Sequence, residues 1–353
     1  VTHSFDVSAL GLRIRVGFDS SLSNEFIQRA RGSWADAVCA DEGTPDAQVT
    51  VPLSGDDEVL LERLSVDVTL AALAGRRGSM MMFHAAGIAA PDGRVIAFVG
   101  PSGRGKTTLT RALAHTYGYV SDETIAVDHA LTVHPYRKPL SIIRDGLPKD
   151  QTAPSALGLQ PLPASPLRLA ALVILNRVEH IDAPAIGRVP LVEALPELVA
   201  QMSYLPELDR PLHRLAELSE ALGGLLQLTY SEATTLAPLV AEVFDGAIAV
   251  GGGEDVAEPV TTGASASSLA VGEIDDAIEI GDAVIVLKAR TVQVLGGIAP
   301  AIWRSVRQGE SRAAMHGRIL ETYGPPPNAD ADVLIDAAVD ELIASGLLVL
   351  REA

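Results

Sequence analysis

The sequence has a single cysteine, Cys39, in 353 residues. One thiol cannot close an internal disulfide, and no metal site built on several cysteines is available. Long apolar runs are missing as well: none reaches the roughly 20 residues that a membrane-spanning helix needs. The N-terminus shows none of the basic, apolar and small-residue succession of a secretory signal, so a cytoplasmic location and no membrane partner are expected. Positive charge is scarce, with 27 Lys and Arg against 45 Asp and Glu. The formal net charge of −18 repels nucleic acid and anionic membranes alike and leaves room only for local basic pockets. Core material is ample, at 48% hydrophobic residues, and this length predicts two or three domains.

One stretch organises the rest. Gly100-Pro101-Ser102-Gly103-Arg104-Gly105-Lys106-Thr107 fits the phosphate-loop pattern G-x-x-x-x-G-K-[ST] at every fixed position. Before it, Arg94 to Val99 is an apolar run of strand length; after it, Thr108 to His115 reads as a helix. A glycine-rich turn between strand and helix points backbone N–H groups and the helix's positive end at a phosphate. The residues expected to bind ATP are therefore Gly100, Ser102, Gly103, Arg104, Gly105, Lys106, Thr107 and Thr108. Lys106 would neutralise the β- and γ-phosphates, and the Thr107 hydroxyl would help hold Mg²⁺.

Met80 to Ala89 is an apolar strand carrying His84, and Asp92-Gly93 predicts a hairpin into the loop's own strand. That pairing places His84 near the phosphate loop, either as a site residue or as a satisfied core histidine. Tyr117 to Glu123 reads as a short strand ending in Asp122 and Glu123, which could hold Mg²⁺ or take a proton from an attacking hydroxyl, or form an ordinary acidic turn. Ile125–Asp128 and Leu131–His134 form a hairpin, followed by the proline-stiffened Pro135–Ser141 with two cations. Residues 145–168 read as a long loop, and the strand Leu169–Leu175 as ending plainly at Asn176-Arg177-Val178-Glu179. Pro196, Pro206 and Pro211 break Leu191 to Ala221 into two or three helices, with His213 and Arg214 facing nucleotide or solvent. Leu225–Tyr230 is the last strand of this region and Ala233–Phe244 its closing helix.

The flanks carry no evident chemistry. Residues 1–79 alternate as strands at Leu10–Val16 and Ala47–Val51, with helices at Asn24–Ala37 and Glu58–Ala74, an α+β domain. Residues 248–269 are small, polar and glycine-rich, as a flexible linker should be. Residues 270–353 hold three short strands at Ala277–Ile280, Ala283–Leu287 and Thr291–Leu295, then helices at Ile298–Arg307, Arg312–Tyr323 and Ala331–Ala344. The last helix carries Asp332, Asp336, Asp340 and Glu341 and no cation, so a DNA-reading role is not expected.

His84 on its strand, the Gly100–Thr107 loop, Gly118-Tyr119-Val120-Ser121-Asp122-Glu123 and Pro135–Ser141 together resemble the catalytic core of the HPr kinase/phosphorylase family over about residues 80–247, in its shorter branch found beside peptide-modification genes. The resemblance implies an α/β P-loop core that uses ATP and Mg²⁺, with His84, Lys106 and Asp122 around the transferred phosphoryl group, Asp122 as base, and Thr107, Asp122 and Glu123 on the metal. Glu123 stands where the family has a second Asp, and the glycine-rich signature loop tied to phosphorolysis is missing, so transfer rather than reversal is implied. Residues 270–353 resemble a PqqD-like winged-helix module, most closely at Val292-x-Val294-Leu295-Gly296-x-Ile298-Ala299-x-x-Ile302-Trp303. That resemblance implies peptide capture by strand addition, with a structural or dimerising role as the alternative. The expected activity is phosphoryl transfer to a hydroxyl of a peptide, protein or small molecule; the alternative is a slow ATPase that recruits a peptide client. A homo-oligomer is compatible with both.

Overall fold

Alternation at the start of the chain buries Val7, Ala9, Leu12, Ile14 and Val16 on one face of an antiparallel pair, β1 (Ser4–Ala9) and β2 (Leu12–Phe18). The computed structural model describes residues 4–53, 55–144, 147–246, 256–257, 268–327 and 329–351. Helix α1 (Asn24–Ser33) starts at Ser23, whose hydroxyl accepts the Phe26 N–H, and β3 (Ala47–Val51) adds parallel to β2. Helix α2 (Asp57–Gly75) lays Leu60, Leu61, Leu64, Val68 and Ala72 into the core at helical spacing. The described residues of the α+β region expected at 1–79 share one hydrophobic core with Met80, Met82, Ala126 and Tyr136, in the first of two compact units.

The run Met80–Ala89 is not one strand. It splits at His84 into β4 (Met81–Phe83) and β5 (Ala85–Ala89), which belong to different sheets. β5 pairs with β6 (Arg94–Val99) as the Asp92-Gly93 hairpin predicts, with Ala85 opposite Val99. The phosphate loop leads into α3 (Lys106–Leu113), and β7 (Gly118–Ser121) returns along the other side of β5. β8 (Ile125–Val127) and β9 (Val133–His134) form the expected hairpin, which joins β4. The region read as a loop from 145 contains a strand: β10 (Leu140–Arg144) pairs with β11 (Leu147–Thr152). Its Pro, Lys and Gln composition hid a two-stranded ribbon that stands outside the main sheet.

β12 (Arg168–Arg177) runs parallel to β6, and β13 (Ala185–Val189) ends this part of the first unit. Helices α4 (Leu191–Ala200) and α5 (Pro211–Ala221) then belong to the second unit, with β14 (Met202–Ser203) of the first unit lying between them in sequence. Pro196 lies inside α4 rather than breaking it, at the loss of the hydrogen bond it could have donated to Val192. β15 (Leu225–Tyr230) and α6 (Ala237–Phe244) complete the first unit. Its main sheet has the order β13-β15-β12-β6-β5-β7, with β6, β12 and β15 parallel. Because β5 is antiparallel to both neighbours, β7 points the same way as β6. The C-terminal ends of β6, β7, β12 and β15 and the start of β5 thus share one rim.

In the second unit, β18 (Asp276–Ile280), β19 (Ala283–Lys288) and β20 (Thr291–Leu295) form an antiparallel meander, flanked by the short β16 (Val256–Ala257). β17 (Leu269–Val271) pairs with β21 (Leu348–Leu350), a partner the sequence reading lacked. Helices α7 (Ala299–Arg307), α8 (Arg312–Tyr323) and α9 (Ala331–Ala344) lie where helical spacing predicts them. Trp303, Ile302, Val284, Val286, Ile335 and Val339 form the core, while α4 packs against β20 and α5 against β18. Most of the expected linker, 248–269, lies outside the described residues. Among the described residues no helix is long and apolar enough to cross a membrane.

Candidate phosphate-binding site

The rim described above carries a cavity of about 540 Å³. From the phosphate loop and α3 it is lined by Ser102, Gly103, Gly105, Lys106, Thr107 and Thr108. His84, Asp122 and Glu123 also line it, together with Lys138, Ser141, Lys149 and Arg177. Four cations against two carboxylates make it a local positive pocket in an acidic protein. Of the residues expected from the motif, Gly100 and Arg104 are not in the lining. Arg104 turns its guanidinium to the Arg177 carbonyl at 2.8 Å, and its own carbonyl accepts the Tyr230 hydroxyl at 2.6 Å.

β6 positions the loop. Val95 to Val99 are all buried between β5 and β12, and each fully buried Val, Ile or Phe stabilises the strand by about 1.5–3 kcal/mol. Gly103 (φ 84°) and Gly105 (φ 93°) take left-handed conformations that side chains disfavour, and Gly105 starts α3 directly. A Cβ at Gly105 would sit 3.3 Å from the Tyr230 hydroxyl, so that turn is closed to larger residues on both grounds. Lys106 is buried, and its Nζ donates to the Gly100 carbonyl at 2.5 Å and the Pro101 carbonyl at 3.2 Å. Burial pushes its pKa down, opposed by Glu123 and Asp122.

His84 occupies the switch between two sheets. Its N–H donates to Gln201 O at 2.7 Å, and the next N–H, of Ala85, donates to Glu123 O at 3.1 Å. The ring Nδ1 is 3.0 Å from the same Glu123 carbonyl and 3.6 Å from Glu123 Oε1. Burial first, and then the Lys106 ammonium, pushes the imidazole below its ordinary value of 6.5. A carbonyl only accepts, so the neutral ring carries its hydrogen on Nδ1 and keeps Nε2 as an acceptor.

The acids sit in the bend directly after β7. Asp122 is buried, and the Tyr119 hydroxyl donates to its Oδ1 at 2.9 Å; burial and that carboxylate push the Tyr119 phenol well above its ordinary value. The Ser121 hydroxyl accepts the N–H groups of Glu123 and Thr124 at 3.1 Å each, which shapes the turn that presents both acids. Among the described residues no group of three or more His, Cys, Asp or Glu could hold a metal ion. A hydroxyl and two carboxylates, as hard oxygen donors, do suit a Mg²⁺ that arrives on phosphates.

Two lining residues, Arg177 and Lys149, were not expected at the site, and two more, Lys138 and Ser141, had no role assigned by the sequence. Arg177, read as a plain strand end, is opposite Tyr230 in the β12–β15 pairing and lies beside Gly105; its Nε donates to Ser231 O at 3.1 Å. Its position at the end of the strand next to the phosphate-loop strand was the available signal. Lys149 comes from β11, within the segment read as a loop. Lys138 is one of two cations in Pro135–Ser141, a stretch whose sequence alone names no role for it. His213 does not lie on a solvated face: it is buried in the second unit, with Nδ1 3.0 Å from Asp276 Oδ1.

No family model matches the chain, and no curated protein matches it. Among solved structures it is similar to the Hpr(Ser) kinase/phosphatase from Coxiella burnetii, with 14% identity, 47% of this chain and 95% of that chain covered, and a TM-score of 0.28.

Proposed function

We propose that the first unit is an ATP-dependent phosphotransferase. What carries this reading is the convergence of Lys106, Asp122, Glu123 and His84 with the loop in one cavity. The loop amides and Lys106 hold the β- and γ-phosphates, with Lys106 exchanging its two loop carbonyls for phosphate oxygens. Thr107, Asp122 and Glu123 would hold Mg²⁺, which would offset phosphate charge. An acceptor hydroxyl gives its proton to Asp122 as its oxygen forms a bond to the γ-phosphorus, and the bond from that phosphorus to the ADP oxygen breaks. The Tyr119 hydroxyl holds Asp122 in place for this, and His84 Nε2 accepts a hydrogen bond from the acceptor or a water. The test is ATP–Mg²⁺ affinity and phosphoryl transfer for wild type, Lys106→Ala and Asp122→Asn; equal values in all three would sink the reading.

We also propose that the second unit is a winged-helix module of PqqD type that takes an extended peptide. Among the described residues β20 pairs only with β19, and a groove of about 450 Å³ lies between Gln293–Leu295 and the α9 residues Ala338, Glu341 and Leu342. Val294 is exposed beside it, as an apolar anchor for an added strand would be. Val294→Asp is expected to abolish binding of an extended apolar peptide in fluorescence anisotropy. Unchanged binding would remove this second reading.

A further inference from the structure

Lys138 is the least expected member of the cavity. It is buried, at 5% exposure, although it is a lysine on a loop. Its Nζ stands 3.5 Å from Glu123 Oε2 and 3.8 Å from Asp122 Oδ1, and donates to Pro139 O at 3.3 Å. A buried ammonium is costly unless paired, and here both of the acids expected to act on a metal supply the pairing. The segment around it is fixed. Tyr136 is fully buried with its hydroxyl 2.7 Å from Thr69 Oγ1, and Arg137 Nη1 is 3.1 Å from Asp36 Oδ1. The two residues just before Lys138 are therefore anchored, which limits its freedom to withdraw from the carboxylates.

Two adjacent carboxylates around one cavity repel each other and form a natural seat for a divalent cation. Phosphoryl-transfer sites often fill such seats with two metal ions. Here a fixed ammonium already stands between the acids. We propose that Lys138 is a resident cation of this site: it holds Asp122 and Glu123 in position and keeps divalent ions off the pair until nucleotide brings one. This inference rests on the reading of Asp122 and Glu123 as metal ligands and makes Lys138 a positioning residue. The nucleotide-free protein then binds divalent ions weakly, and the protein's own charge does the work of a second metal.

The experiment is calorimetric titration of Mn²⁺ into the nucleotide-free full chain, as wild type, Lys138→Met, Lys138→Arg and Lys138→Met/Glu123→Gln. Removing a unit charge a few ångströms from the seat should raise Mn²⁺ affinity about tenfold or more in Lys138→Met. Lys138→Arg should stay near wild type, and the double variant should lose the gain. A smaller gain in Lys138→Met, or an equal gain in Lys138→Arg, overturns the proposal. If Lys138→Met loses its cooperative melting transition, the same charge argument requires Glu123→Gln to restore folding; a double variant that stays unfolded overturns the proposal too. ATP does not enter these titrations. Failure of the wild type to bind ATP would defeat the kinase reading while leaving the Mn²⁺ comparison to decide the role of Lys138.

Discussion

The second unit and the phosphate-loop cavity of the first treat their charges differently. In the second unit several charges meet a partner at short range. Arg304 Nε bonds Glu279 Oε2 at 2.6 Å, Arg312 bonds Asp336 at 2.7 Å, and His213 is bound to Asp276. Asp276 Oδ2 also accepts the Leu212 and His213 N–H groups, so one carboxylate caps α5. Around the phosphate loop the two buried lysines have no close carboxylate partner of their own. Lys106 leans on loop carbonyls, and Lys138 stands 3.5 and 3.8 Å from two acids that also face the cavity. Charges in short contact with an opposite charge hold a fold together. Charges without such a contact inside a cavity keep capacity for a ligand.

Substitutions in the two units should therefore separate activity from stability. The largest expected effect is at Asp122: Asp122→Asn should lower phosphoryl transfer by about a hundredfold or more with ATP affinity in the absence of Mg²⁺ within a few-fold, because it removes the base and a metal ligand and leaves the loop that holds the phosphates intact. Lys106→Ala should instead weaken ATP binding by about tenfold to a hundredfold, the worth of a charge-assisted partner. Calorimetry with steady-state turnover distinguishes them, and a drop in both quantities for both variants would erase the contrast.

In the second unit, Asp276→Ala should cost about 1–3 kcal/mol of stability by leaving the α5 N–H groups and His213 without their acceptor. Thermal melting reads this loss, and ATP affinity should not move. An unchanged melting temperature would mean that the capping contacts contribute little.

The smallest expected effect is in the pH dependence. The folded state holds the His84 imidazole below 6.5, so protonation opposes folding. The stability due to neutral His84 is complete above the unfolded value of about 6.5 and is lost as pH falls through the lower folded value. His84→Gln should flatten the fall of melting temperature between about pH 7 and pH 5, and parallel curves would show that His84 does not contribute.

Local patterns made much of this legible. The Gly100–Thr107 motif placed the loop, Asp92-Gly93 placed the hairpin that sets His84 beside it, and helical spacing located α2, α7, α8 and α9. Elsewhere local signals were overridden. His84 interrupts an apolar run at the point where the chain changes sheets, because Gln201 and Glu123 carbonyls take the backbone N–H groups there. The β10–β11 ribbon has a loop's composition, and Pro196 continues a helix.

The sequence by itself determined what depends on neighbours in the chain: the glycines that permit left-handed turns, the lysine and threonine that follow them, and the two acids ending a short strand. Tertiary structure alone decided which distant groups meet these. β12 and β15 lie parallel to β6 and bring Arg177 and Tyr230 to the loop, although more than seventy positions separate Arg104 from Arg177. The Tyr136 and Arg137 anchors press Lys138 between Asp122 and Glu123. Such meetings depend on strand order and on the cost of burying an unpaired charge, and neither is written in any local window of residues.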